Sequence, residues 1–150
     1  MNHPFTVKFR LAFLIPLALL TISTNVSPTI AQSDVYKPIP ITPGKVIVDK
    51  LSDKDIPTGQ GGFARDYVLQ LQEGNQLSID LTSENFDTIV TLIAADGSTV
   101  AENDDGPDGS TNSLLFTRIT KAGTYTVRVR AFGELAGGNF KLKVTLLKPL

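Results

Sequence analysis

The sequence has 150 residues, with 14 basic and 15 acidic side chains, one histidine, no cysteine and no tryptophan. That length holds one domain at most beside any leader. The absence of cysteine rules out disulfides and thiolate chemistry. A formal net charge of −1 argues against nucleic acid as a partner, because phosphate backbones need a concentrated basic surface.

Residues 1–31 read as a secretory signal peptide. Lys8 and Arg10 give a basic start. Residues 11–22 (LAFLIPLALLTI) form an apolar core that is short and interrupted by Pro16, so no stable membrane anchor is expected. Thr29 and Ala31 supply small side chains at the −3 and −1 positions, which places cleavage near Ala31 and the product outside the inner membrane, secreted or periplasmic. His3, Lys8 and Arg10 leave with this segment, so 12 basic residues face 15 acidic ones in the remainder. Without imidazole or thiol, neither a Ser-His-Asp nor a Cys-His nucleophile can be built. Zinc sites fail for the same reason. The metal expected from this chemistry is a hard cation held by oxygen.

Residues 32–44 (QSDVYKPIPITPG) carry Pro38, Pro40 and Pro43 and predict an extended lead-in outside the core, with Tyr36 free. Residues 45–150 are the globular part, and period-two alternation dominates it. A first strand is predicted at 46–51, followed by a turn-rich loop at 53–62. Segments 66–72 and 76–82, joined by Glu73-Gly74-Asn75, read as a hairpin with inward Tyr67, Leu69, Leu71, Leu77, Ile79 and Leu81. Segment 87–95 is apolar on both faces, as a central strand would be. Asp96-Gly97 turns the chain into a strand at 99–102. Further strands follow at 113–120, 124–132 and 139–147, the last with Phe140, Leu142, Val144 and Leu146 inward. About eight antiparallel strands and no helix predict an all-β, jelly-roll-like sandwich.

The loop Asn103-Asp104-Asp105-Gly106-Pro107-Asp108-Gly109 offers three carboxylates and an amide on a glycine-kinked segment. Calcium takes six to eight such oxygens. The same composition is also what turns use, so calcium cradle and solvated turn both stand. Asp87 is expected at the same rim, with its side chain capping a turn. Asp49, Asp53 and Asp55 form a second acidic group, diluted by Lys50 and Lys54. Asp87-Thr88 lacks the glycine and the second copy of an aspartic-protease dyad, and no carboxylate pair suggests a glycosidase. Arg118, Arg128 and Arg130 form either a basic stripe for an acidic ligand or cross-strand pairs with Asp80, Glu102 or the acidic loop. Tyr67 and Tyr125 fall on inward positions, as core residues would.

The order Tyr67-x-Leu69-x-Leu71, Gly74-Asn75-x-Leu77-x-Ile79-x-Leu81, Phe86-Asp87-Thr88, Asp96-Gly97, Ala101-Glu102-Asn103-Asp104-Asp105, Ser113-Leu114-Leu115-Phe116 and Gly123-Thr124-Tyr125-x-Val127-x-Val129 resembles the bacterial pre-peptidase C-terminal domain. The resemblance implies a non-catalytic β-sandwich that usually follows a secreted peptidase and assists secretion, localisation or substrate attachment. It also implies likeness to the collagen-binding domains of secreted collagenases, which bind calcium. Asp87, Asp104 and Asp105 carry over as the family's acidic signature. In this sequence the leader runs almost directly into the domain. The expectation is therefore a binding or accessory module for an extracellular protein or polymer, with calcium as its candidate cofactor. The alternative is an accessory or targeting partner of a separately encoded secreted peptidase.

Overall fold

Chain contacts divide the protein into two units, Met1–Ala31 and Gln32–Leu150, and the second carries the fold. The computed structural model describes residues 36–59, 61–107, 109–133 and 137–148. The expected signal peptide, its expected cleavage point and the start of the lead-in lie outside the described residues.

Valine, isoleucine, threonine and aromatic residues at alternate positions fit a pleated, half-buried surface. Among the described residues they build ten strands: β1 (Ile39–Pro40), β2 (Val46–Leu51), β3 (Ile56–Pro57), β4 (Phe63–Leu71), β5 (Gln76–Thr82), β6 (Thr88–Ala94), β7 (Thr99–Asn103), β8 (Ser113–Arg118), β9 (Gly123–Ala131) and β10 (Gly138–Leu147). One sheet has the order β2-β10-β5-β8. The other runs β1-β4-β9-β6-β7, with β3 also on the edge of β4. The antiparallel pairs β2·β10, β4·β9, β5·β8 and β6·β7 nest, first strand with last and inward from there. That nesting is the jelly-roll wrap predicted from the alternation.

The structure corrects three details. Strands β4 and β5 are not a hairpin, because β4 pairs with β9 and β5 with β10 and β8. Both strands have an apolar face to bury against the opposite sheet, so the Gly74 turn (φ +86°) carries the chain from one sheet to the other. The count rises from eight to ten because two proline-containing dipeptides add to the edge of β4. Proline lacks the amide that a central strand needs, and an edge tolerates it. The lead-in therefore joins the sheet: β1 pairs in parallel with β4, and the Ile41 amide donates to the Val68 carbonyl at 2.9 Å.

The core lies between the sheets. Leu77, Ile79, Leu81, Phe140, Leu142 and Val144 of one sheet face Tyr67, Leu69, Leu71, Val90, Leu92, Val127 and Val129 of the other. Phe140 is the joint. Its ring meets Tyr67 edge-on at 6.3 Å and 80°, and Phe86 at 6.3 Å and 75°. Such T-shaped pairs place the positive ring edge on the negative face. Truncating the fully enclosed ring leaves a cavity, so Phe140→Ala is expected to lower stability by about 3–5 kcal/mol in denaturant unfolding. A loss under about 1 kcal/mol would show that the ring is not the packing joint.

On the side where β2 and β4 meet, polar side chains link the two sheets. The Tyr67 hydroxyl donates to Asp49 Oδ2 at 2.8 Å. Arg65 Nη1 donates to the Lys50 carbonyl at 2.5 Å and lies 3.2 Å from Asp49 and 3.5 Å from Asp55. The Lys50 amide donates to Asp49 Oδ1 at 2.8 Å, so side chains take both backbone groups of Lys50 on an edge strand. An edge occupied in this way resists pairing with another chain. Burial first, and then Asp49, pushes the Tyr67 hydroxyl far above its ordinary 10.0. The folded hydroxyl keeps its proton where the unfolded one releases it. This stabilisation is complete below pH 10 and is lost as pH rises beyond it. Tyr67→Phe should reduce the alkaline fall in melting temperature and lower stability at neutral pH by about 1 kcal/mol. Identical alkaline slopes for parent and variant would contradict this assignment.

Candidate functional site at the long-loop end

The two ends of the sandwich differ. At one end the connections 72–75, 95–98 and 119–122 are tight. Two of them are tied together by Gly74 N donating to Ile119 O and Ile119 N donating to Asn75 O, each at 2.8 Å. At the other end lie the described residues of the connections 83–87, 104–112 and 132–137. They too are stitched together. Thr88 N donates to Thr111 O at 2.9 Å, Phe132 N to Asp87 O at 2.8 Å, and Ser83 N to Asn112 Oδ1 at 3.0 Å.

The acidic residues predicted as a site sit at this end. Asn103 Oδ1 accepts the Asp105 amide at 2.5 Å, an Asx turn that takes up its oxygen. The Asp105 carbonyl accepts the Leu114 amide at 3.3 Å, while the Asp104 and Asp105 side chains face solvent. Asp87 meets its neighbours through its backbone carbonyl. Among the described residues its carboxylate makes no hydrogen bond, so the expected side-chain cap is replaced by a main-chain contact. Among the described residues no three His, Cys, Asp or Glu side chains converge as a metal site. Asp108 lies outside the described residues.

Beside the acidic loop is a groove that the sequence pattern did not single out. A recess of about 410 Å³ is lined by Val48, Thr82, Ser83, Glu84, Asn85, Asn112, Asn139 and Lys141. Through Thr82 and Asn112 it continues into a second recess of about 260 Å³ beside Asp80, Pro107 and Leu114. Asn85 Oδ1 accepts the Asn139 amide at 2.9 Å, as Asn112 Oδ1 accepts that of Ser83. A backbone amide can only donate, so in both side chains the oxygen is engaged and the NH₂ group remains available. Ser83 Oγ donates to the Asn139 carbonyl at 2.8 Å and accepts the Asn85 amide at 3.0 Å. The placement of Asn85 is built into the backbone. Gly138 (φ +141°) lies beneath it, where a Cβ would stand 2.4 Å from the Asn85 side chain. Only the Gly137-Gly138 pair signalled this close approach in the sequence.

The three-arginine stripe does not form. Arg128 binds the buried Asp66 bidentately, Nε to Oδ1 at 2.8 Å and Nη2 to Oδ2 at 2.7 Å. Tyr36, expected free, donates its hydroxyl to Asp66 Oδ2 at 2.6 Å; burial and Asp66 raise its pKa. Arg130 Nη2 binds Glu102 Oε2 at 3.0 Å, the cross-strand pair anticipated for it. The Thr91 hydroxyl at 2.6 Å, ahead of Arg130, holds Glu102 below the ordinary carboxylate range. Arg118 lies on the other sheet. Of the second acidic group, Asp49 and Asp55 pair with the Arg65 guanidinium, and among the described residues neither forms an ion pair with the Lys50 or Lys54 side chain.

Residues 64–131, from β4 to the end of β9, match the family model for the bacterial pre-peptidase C-terminal domain. No curated protein matches the chain. Among solved structures, the pre-peptidase C-terminal domain of a collagenase from Bacillus anthracis is similar, with 14% identity and a TM-score of 0.56 over 73% of this chain and 95% of that one. PliG of Aeromonas hydrophila, a periplasmic inhibitor of g-type lysozyme, is similar with 13% identity and a TM-score of 0.53, also over 73% and 95%. At such identities the likeness is one of fold. The segment match and the likeness of fold agree: residues 64–131 are similar to the bacterial pre-peptidase C-terminal domain, and the sandwich shares the fold of one.

Proposed function

We propose that this domain is a secreted, non-catalytic binding module that engages an extracellular protein or polymer through its long-loop end. The observation that carries the proposal is the contrast between the two ends. Hydrogen-bonded loops at one end frame a groove, while the other end is closed by turns. The carboxylates best placed for acid–base work support the same conclusion, since Asp66, Glu102, Asp49 and Asp55 each face an arginine. Partnership with a separately encoded secreted peptidase is the second reading, and the family match alone favours it.

The test is capture from the extracellular and periplasmic fractions of the source cells. The parent protein should retain a polymer or protein that is lost when Ser83, Glu84 and Asn85 are replaced by alanine. A peptidase as the retained species would establish the second reading, and retention of nothing would refute both.

Calcium support at Asp87, Asn103, Asp104, Asp105 and Asp108 belongs to this proposal. Its basis is the oxygen supply of the loop. Millimolar calcium should raise the melting temperature relative to chelator, and Asp104→Asn with Asp105→Asn should abolish the difference. Superimposable melts would remove calcium from the mechanism.

A further inference from the structure

We infer that the outer face of the β2-β10-β5-β8 sheet, with the groove at its end, binds an acidic polysaccharide; this rests on the binding-module reading above and names its ligand class.

The first observation is how the cations are distributed. Arg65, Arg128 and Arg130 are each answered by a carboxylate. Lys50, Lys141, Lys143 and Arg118 are exposed, and none of their side chains has a hydrogen bond or ion pair among the described residues. Alternation puts all four on the outer face of the same sheet. Inward Leu51, Phe140, Leu142 and Leu115 fix the opposite parity for their neighbours. Asp80 is the one acid on that face among the described strand residues. It lies opposite Lys143 in register without pairing to it. Glu84 lines the groove at the end of that face, and four cations against these two acids leave the surface locally basic in a chain whose 15 acids outnumber its bases. Such a surface draws an anionic partner and focuses its approach.

The second observation concerns the spacing. Lys141 and Lys143 are two residues apart on a central strand, about 7 Å along it. Lys50 is opposite Asn139 on the neighbouring strand, one step further along the same diagonal. This separation suits charges repeated along a polymer. A single compact anion would need the cations to converge.

The third observation is the chemistry between the charges. Lys141 lines the groove with the Asn85 and Asn112 amides, whose available groups are NH₂ donors, and with the Thr82 hydroxyl. Fixed neutral donors suit sugar hydroxyl and ring oxygens, and the lysines suit the carboxylates or sulfates beside them. Apolar ring faces also find partners. Val48 is 70% exposed at the groove wall, and Phe116 is 63% exposed on the same outer face, opposite Ser78. An exposed phenyl ring presents a flat apolar platform of the kind that stacks on a pyranose. An acidic homopolymer of glutamate has no pyranose face to lay on the platform, and that separates it from an acidic polysaccharide.

Binding should be measured by calorimetry with polygalacturonate, dextran and poly-glutamate at matched chain length. Polygalacturonate should bind at least tenfold more tightly than either of the others, and more weakly as salt rises. The double variant Lys141→Ala with Lys143→Ala, and separately Phe116→Ala, should each weaken it about tenfold. Lys121→Ala, at the tight-turn end, should leave it unchanged. All four positions are exposed, and unchanged melting curves will confirm folding. Equal binding of poly-glutamate would reduce the effect to charge and overturn the assignment. So would absence of polygalacturonate binding, or its indifference to the lysine and phenylalanine variants. If the capture experiment above succeeds while polygalacturonate is ignored, the ligand class fails and the binding-module reading stands. If both are silent, both fail.

Discussion

The seat of Phe140 between Tyr67 and Phe86 is the contact on which the rest of the structure depends. Tyr67 belongs to one sheet, Phe140 to the other, and Phe86 to the connection between β5 and β6. A period-two strand allows one choice of face, and a slip of one residue inverts every side chain. With Phe140 inward, Asn139, Lys141 and Lys143 must point outward. With Phe86 against the same ring, the 83–85 turn is held over Gly138, and the Asn85 amide is held with it. The core packing and the shape of the groove are therefore set by one contact.

A second ordering follows from electrostatics. Arginine forms bidentate and forked contacts with carboxylates, which lysine cannot do. On the β4-β9-β6-β7 face, Arg128 and Arg130 are locked by Asp66 and Glu102. Glu102 is held ionised by Thr91 and Arg130, so it is an acceptor at neutral pH and not an acid. Those pairs stiffen one face and cancel its charge. Lys50, Lys141 and Lys143, which have no planar fork, are left in solvent on the outer face of the other sheet. The chain's net charge conceals this division, because the acidic excess resides in loops and in the arginine pairs.

Much of this was legible in the sequence, and what was not has a physical cause. Inward positions such as Leu77, Ile79 and Leu81, or Phe140, Leu142 and Val144, could be read because burial imposes alternation on them. Strand partners were less accessible. The Glu73-Gly74-Asn75 turn looks the same whether the chain folds back beside its neighbour or crosses to the other sheet, so a hairpin was expected where a sheet crossing exists. The edge strands β1 and β3 are two residues long and contain proline, too short for any periodicity. The acidic loop drew attention as a dense run of one residue type. The groove was missed because Asn85, Asn112 and Asn139 are far apart in sequence and each alone is ordinary turn chemistry. Arg128 and Asp66 could be placed on outward positions, but their pairing required the β4·β9 register.

That register also bears on where specificity resides. The family match spans residues 64–131, which includes the central strands β4 to β9 but neither β2 nor β10. These two strands nevertheless complete the sandwich, since Phe140, Leu142 and Val144 are as enclosed as any core residue. Their inward positions are constrained by packing against the matched strands. Val48, Lys50, Lys141 and Lys143 point outward and are exposed, so packing of the core does not constrain them. Ligand choice can therefore change on the flanking strands without disturbing the jelly roll. The matched segment contributes the fixed Asn85 and Asn112 amides and the Phe116 ring, and the flanking strands contribute most of the charge. A surface assembled from both parts would keep the jelly roll while most of the charge of the proposed site comes from residues outside the matched segment.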